Sequence, residues 1–101
     1  MKFTRNDVLY FIKQIRLDMS DKLFTIDDLV NGMNVELEHG KKNLFTNVTG
    51  NDLIITGKIA LAHLNEFPDY YKRLAILERD ADKYWQDKPK TIRKRYRLVR
   101  N

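Results

Sequence analysis

The sequence predicts an all-α fold: a compact bundle of four helices followed by a basic C-terminal tail. Three observations lead there. Apolar residues recur at spacings of three and four along four separate stretches, and nothing outside the tail alternates with the period of a strand. One pattern (apolar, Thr, two variable residues, Asp, apolar) appears three times, as FTRNDV at 3–8, FTIDDL at 24–29 and VTGNDL at 48–53. Glycine and proline are scarce, four and two in 101 residues, so little interrupts long helices.

The repeated pattern reads as helix punctuation. A threonine N-cap accepts from the backbone N–H three residues on, and an aspartate there complements the positive helix end and reaches back. The flanking pairs Phe3/Val8, Phe24/Leu29 and Val48/Leu53 fall where a hydrophobic staple would close. Helix 1 is therefore expected over about 5–19, with Val8, Phe11, Ile12, Ile15 and Met19 facing inward. Helix 2 is expected over about 26–39 on Ile26, Leu29, Val30, Met33 and Leu37, with Gly40 as its stop. The linker GKKNLFTNV leads to helix 3, expected over about 50–66. Pro68 disfavours helix at Phe67 and suits the first turn of a new one. Helix 4 then runs to about 86 on Tyr70, Leu74, Leu77, Ala81 and Tyr84, and Trp85 is expected to close one end of the core. Residues 1–87 form the helical domain and 88–101 the tail.

The totals narrow the functional classes. The length fits one domain with a modest core. Without cysteine there is no disulfide, thiolate metal site or cysteine nucleophile, which suits a reducing compartment. The start MKFTRNDV turns polar too soon for a signal peptide, and no apolar run approaches the roughly 18 residues of a membrane span. A soluble cytoplasmic or intracellular protein is expected. The formal charge of +5 is unevenly placed: 88–101 carries seven of the nineteen basic residues and no acid. The remainder holds twelve basic against fourteen acidic residues, a net of −2. Such end-loading points to a polyanionic partner.

ALAHLNEF, at 60–67, sets His63 and Glu66 inside the most apolar part of the chain. With Ile59 taken as the centre of the inward face, Ile55, His63 and Glu66 all fall within about 40° of it. An ionised glutamate there needs a partner. Glu36 lies at the edge of the helix 2 stripe and His39 one position further round, so an antiparallel pair of helices would bring Glu36, His39, His63 and Glu66 together. Two carboxylates and two imidazoles suit a divalent metal such as zinc, iron or manganese. The simpler reading is structural: His39 caps the end of helix 2, His63 donates to Glu66 or to a carbonyl, and Glu66 pairs with Lys72 or Arg73. No cofactor is expected on that reading. A catalytic role is not expected, because no activated nucleophile is evident and TGK at 56–58 lacks the glycine-rich run of a phosphate loop.

The stretches ELEHG (36–40), TNVTGND (46–52) and TGKIALAHLNEFPDYY (56–71), with Leu74 after them, resemble an uncharacterised family, a domain of unknown function, of small helical proteins. Its members occur in bacteria, phages and large DNA viruses. The resemblance spans roughly residues 23–80. It implies a compact helical unit containing Glu36, His39, His63, Glu66, Tyr70 and Tyr71, and no established activity. The Lys/Asn/Ile-rich wording suits an AT-rich, viral genome.

The tail lies beyond that resemblance. In TIRKRYRLVRN a helix would set Ile92, Tyr96 and Val99 in a narrow stripe among arginines, whereas a strand would put Arg93, Arg95 and Arg97 on one face. Either clusters guanidinium groups for phosphates and leaves Tyr96 to stack on a base. The leading expectation is therefore a small non-enzymatic binder of nucleic acid, sequence-independent, using Lys88, Lys90, Arg93, Lys94, Arg95, Arg97 and Arg100 for phosphates and Tyr96 for stacking. The alternatives are an adaptor, a virion or assembly component whose tail docks on an acidic protein partner, and a metal-binding bundle using Glu36, His39, His63 and Glu66. A membrane surface ranks last, because the tail lacks bulky anchors.

Overall fold

Two of the three Thr/Asp motifs start helices as their chemistry requires. The computed structural model describes residues 2–88, with helices α1 (Arg5–Ile15), α2 (Ile26–Lys42), α3 (Leu53–Glu66) and α4 (Tyr70–Trp85), and a short 3-10 turn at Leu44–Thr46. Among the described residues there is no strand. At α1 the Asp7 N–H donates to Thr4 Oγ1 at 3.2 Å and the Thr4 N–H donates to Asp7 Oδ2 at 2.8 Å. At α2 the same reciprocal box joins Thr25 and Asp28 at 3.1 and 2.8 Å. The four residues expected to form the two staples, Phe3, Val8, Phe24 and Leu29, are all buried in the core.

The third motif behaves differently. The N-cap of α3 is Asp52, which accepts from the Ile55 N–H at 2.8 Å. Thr49 is instead buried in the preceding loop, and Val48, the expected staple residue, is 77% exposed. The helix consequently begins three residues later than the sequence pattern indicates. A left-handed pair, Gly50 and Asn51, separates the threonine from the true cap.

Two other ends are corrected. α1 stops at Ile15 instead of Met19, because Arg16 turns left-handed (φ 56°) and the Leu17 N–H returns to the Ile12 carbonyl at 3.0 Å. α2 does not stop at Gly40 but continues through it to Lys42. Gly40 is a contact residue: a Cβ there would lie 2.8 Å from Asn47 Oδ1 and 3.0 Å from Thr49 Oγ1. The loop from Asn47 to Thr49 packs where a side chain would otherwise stand.

The core gathers Phe3, Val8, Phe11, Phe24, Leu29, Met33, Leu37, Ala60, Leu64 and Tyr71. α2 and α3 form its most extensive helix pair. Asn34 ties the N-terminal segment down, accepting from the Phe3 N–H at 2.7 Å and donating to the Phe3 carbonyl at 2.9 Å. The inward face of α3 is Thr56, Gly57, Ala60 and Leu64, not Ile55 and Ile59 as expected. Ile55 is 45% exposed. The small residues face inward because the Phe11 ring lies against Gly57, where an added Cβ would come within 2.5 Å of the ring. Thr56 satisfies its hydroxyl on the Asp52 carbonyl at 2.6 Å. This turns the helix by roughly one residue, about 100°, from the orientation its apolar pattern implied.

α4 joins the body through its first turns. Tyr71 is buried, and Tyr70 and Leu74 pack against the core. Leu77 and Tyr84 remain exposed, and Trp85 packs edge-on against Tyr84, its ring centroid 5.0 Å away, and takes no part in the core it was expected to close. Among the described residues no helix is long and apolar enough to cross a membrane.

Candidate functional site

The rotation of α3 decides which polar residues meet. His63 comes to the edge of the buried face, half-covered, while Glu66 is exposed. Glu36, on the inner side of α2, is buried, and it becomes the centre of a hydrogen-bonded group reaching three helices. Its Oε2 accepts from the Tyr71 hydroxyl at 2.8 Å and from His63 Nδ1 at 3.0 Å. A carboxylate has only acceptors, so the imidazole proton belongs on Nδ1. The expected His63–Glu66 partnership does not form, and Glu36 takes that place.

The group extends in two directions. Tyr70 stacks on the His63 imidazole, ring centroids 4.2 Å apart and planes 10° from parallel. On the other side the second Glu36 oxygen, Oε1, lies 3.9 Å from His39 Nδ1, and His39 Nε2 pairs with Glu78 Oε1 of α4 at 2.6 Å. His39 thus links α2 to α4 and is not only a cap for the end of α2. Gly32 makes room for the arrangement: a Cβ there would lie 2.5 Å from Cε2 of the Tyr71 ring. The close approach of α2 to α4 brings the phenol onto Glu36.

Burial pushes the Tyr71 hydroxyl well above its ordinary range, reinforced by its hydrogen bond to the Glu36 carboxylate. Tyr70 is raised for the same first reason, with Glu36 and Glu66 nearby. Tyr71 therefore serves as a fixed donor at neutral pH. Every buried side-chain polar atom among the described residues has a partner.

Of the four residues expected to gather as metal ligands, Glu36, His39 and His63 come together and Glu66 does not. Among the described residues, no three His, Asp or Glu side chains are disposed to hold a metal ion. Glu36 already has hydroxyl and imidazole donors, and His39 is turned to Glu78, so the donor set fits a hydrogen-bond network better than a coordination sphere. Sequence reading missed Glu78 as a member, and it placed Tyr71 in the same helical unit through the family resemblance without giving it a partner. The Gly32 signal for Tyr71 was present, since a glycine within a helix marks close approach, but it does not name what approaches.

Of the residues expected to contact nucleic acid, Lys88 is described: it is exposed, its Nζ 4.9 Å over the Tyr84 ring. Lys90, Arg93, Lys94, Arg95, Tyr96, Arg97 and Arg100 lie outside the described residues.

These features define a small all-α protein whose centre is a closed Glu/His/Tyr network linking α2, α3 and α4. The chain belongs to the family described as protein of unknown function (DUF5661), whose model matches residues 8–80. The match begins within α1, earlier than the resemblance read from the sequence, and includes every member of the network. Neither a curated protein nor a solved structure matches the chain.

Proposed function

We propose that this protein is a small non-enzymatic binder of nucleic acid, holding phosphates through the basic residues that follow α4. The observation that carries the reading is charge placement: seven basic residues and no acid in 88–101, against a remainder with a net of −2. Lys88, Lys90, Arg93, Lys94, Arg95, Arg97 and Arg100 would contact phosphates, and Tyr96 would stack on a base. The Glu36 network is, on this reading, a structural clasp that seats α4, from whose end the basic segment departs. Its hydrogen bonds are mutually satisfied, which supports a scaffold role over a catalytic one.

The test is binding of the full chain to random DNA and RNA over a range of salt. Each phosphate neutralised contributes roughly −0.9 (duplex) or −0.7 (single strand) to the slope of log K against log salt. Substituting Arg93, Arg95 and Arg97 by glutamine is expected to reduce that slope by about 2–3 and to weaken binding at low salt at least tenfold. Affinity unaffected by these substitutions, or by salt, would remove the proposal.

A second reading, an adaptor or virion assembly component, draws support from the loop after α2. Leu44 is 78% exposed and Val48 77% exposed, with Phe45 half-exposed between them. Protein partners retained after nuclease treatment, and lost when Leu44 and Val48 become serine, would favour it.

A further inference from the structure

α4 carries more apolar surface than the body covers. Tyr70, Leu74, Leu77, Ala81 and Tyr84 recur at spacings of 4, 3, 4 and 3 and form one stripe. Only its beginning is used: Tyr70 and Leu74 pack on the core, whereas Leu77 is 63% and Tyr84 60% exposed. At about 100° per residue, Leu77, Ala81 and Tyr84 stay within about 40° of the line through Tyr70. Glu78, paired with His39, lies about 80° to one side and Asp80 about 80° to the other, and Asp87 follows in the turn after the helix. Arg79 and Lys83 fall towards the opposite side of the helix, and Arg73 is held by Asp69 at 2.8 Å near the helix start. The C-terminal half of α4 therefore presents an apolar strip edged by carboxylates.

Such a face fits an apolar segment edged by cations, and the chain supplies one next to it. In residues 89–101, Ile92, Tyr96 and Val99 recur at spacings of 4 and 3 among Arg93, Lys94, Arg95, Arg97 and Arg100, with no acid. From Leu77 to Trp85 the helix is about 12 Å long, and thirteen residues reach about 20 Å even at helical rise, so the segment is long enough to return along the strip. Its neighbour Lys88 already lies back over the Tyr84 ring.

We propose that the strip of Leu77, Ala81 and Tyr84, with Asp80 at its edge and Asp87 just past the helix end, is the docking site for residues 89–101 of the same chain. The complementarity is of both kinds, apolar to apolar and acid to base, and the tether raises the effective concentration of the segment. Exposed ion pairs are weak and screened by salt, so a polyanion competes for the same guanidinium groups and displaces the segment. Docking does not depend on nucleic-acid binding, but where both occur it makes the helical body a brake on that binding.

The chain has no cysteine, so Arg100→Cys gives a unique site for a nitroxide label. In the labelled, isotope-enriched full chain, diluted tenfold with unlabelled chain, the amide signals of Leu77, Ala81 and Tyr84 should lose at least half their intensity. They should recover when Asp80→Lys and Asp87→Lys are added, and in 1 M salt. Undiminished signals at the strip would overturn the proposal. So would broadening that appears only between labelled and unlabelled chains, which would mean docking between copies. Should the double lysine variant fail to fold, the labelled parent and its salt series still decide the matter. Broadening at the strip in a chain that binds no nucleic acid would leave docking standing and sink the phosphate reading alone.

Discussion

Glu36 governs the polar centre, and its removal should show that role. Glu36→Leu leaves the Tyr71 hydroxyl and the His63 imidazole without their acceptor, and the expected cost is about 2–3 kcal/mol in urea denaturation. Adding Tyr71→Phe should recover part of that, with a coupling of about 1 kcal/mol in the double-mutant cycle. Glu66→Leu, at an exposed position outside the network, should stay within about 0.5 kcal/mol of the parent. A Glu66 variant costlier than the Glu36 variant would contradict the observed pairing. The alkaline limb of stability gives a second check. Burial and the Glu36 carboxylate raise Tyr71, so the folded chain keeps a phenolic proton that the unfolded chain loses above about pH 10. The stability this supplies is complete below about pH 10 and drains away as pH rises beyond it. Urea midpoints measured between pH 8 and 11 should fall, and Tyr71→Phe should fall less steeply; parallel slopes would show that Tyr71 is not the group responsible.

Among the elements, the starts of α1 and α2 and the inward face of α2 were legible, and the start and face of α3 were not. A capping box works through atoms three residues apart, so Thr4/Asp7 and Thr25/Asp28 act without reference to the rest of the fold. The third motif shares the same letters but failed, because Gly50 and Asn51 take left-handed backbone and hand the cap to Asp52. Asp52→Ala should therefore cost about 1 kcal/mol in thermal or urea melts. The face α3 buries departs from its apolar pattern because its small residues, not its large ones, meet the core. Gly57 and Gly32 admit the Phe11 and Tyr71 rings, and the resulting close packing outweighs the exposure of Ile55. Gly32→Ala tests this directly: helix propensity alone would stabilise by about 1 kcal/mol, but the clash with the Tyr71 ring should reverse the sign and destabilise by about 1–3 kcal/mol. A stabilised variant would mean that the ring moves aside freely.

Over the whole molecule, core packing and charge do different work. The ion pairs Arg5–Asp27 and Arg73–Asp69 have exposed side chains, so they contribute little to folding. The melting temperature should accordingly shift by no more than about 3 °C between 0.05 and 0.5 M salt. Over the same range polyanion binding through the C-terminal segment should fall by several orders of magnitude. A body as salt-sensitive as the binding would show that the basic segment contributes to the fold itself. The four-helix count, the two boxed starts, the inward stripe of α2 and the end-loaded charge were all written in local spacing or composition, which need no partner to be read. The central carboxylate's true companions, the orientation of α3 and the half-covered stripe of α4 were settled only in three dimensions. They depend on which distant ring fills the gap beside a glycine, a contact between residues far apart in the chain that periodicity along one helix cannot encode.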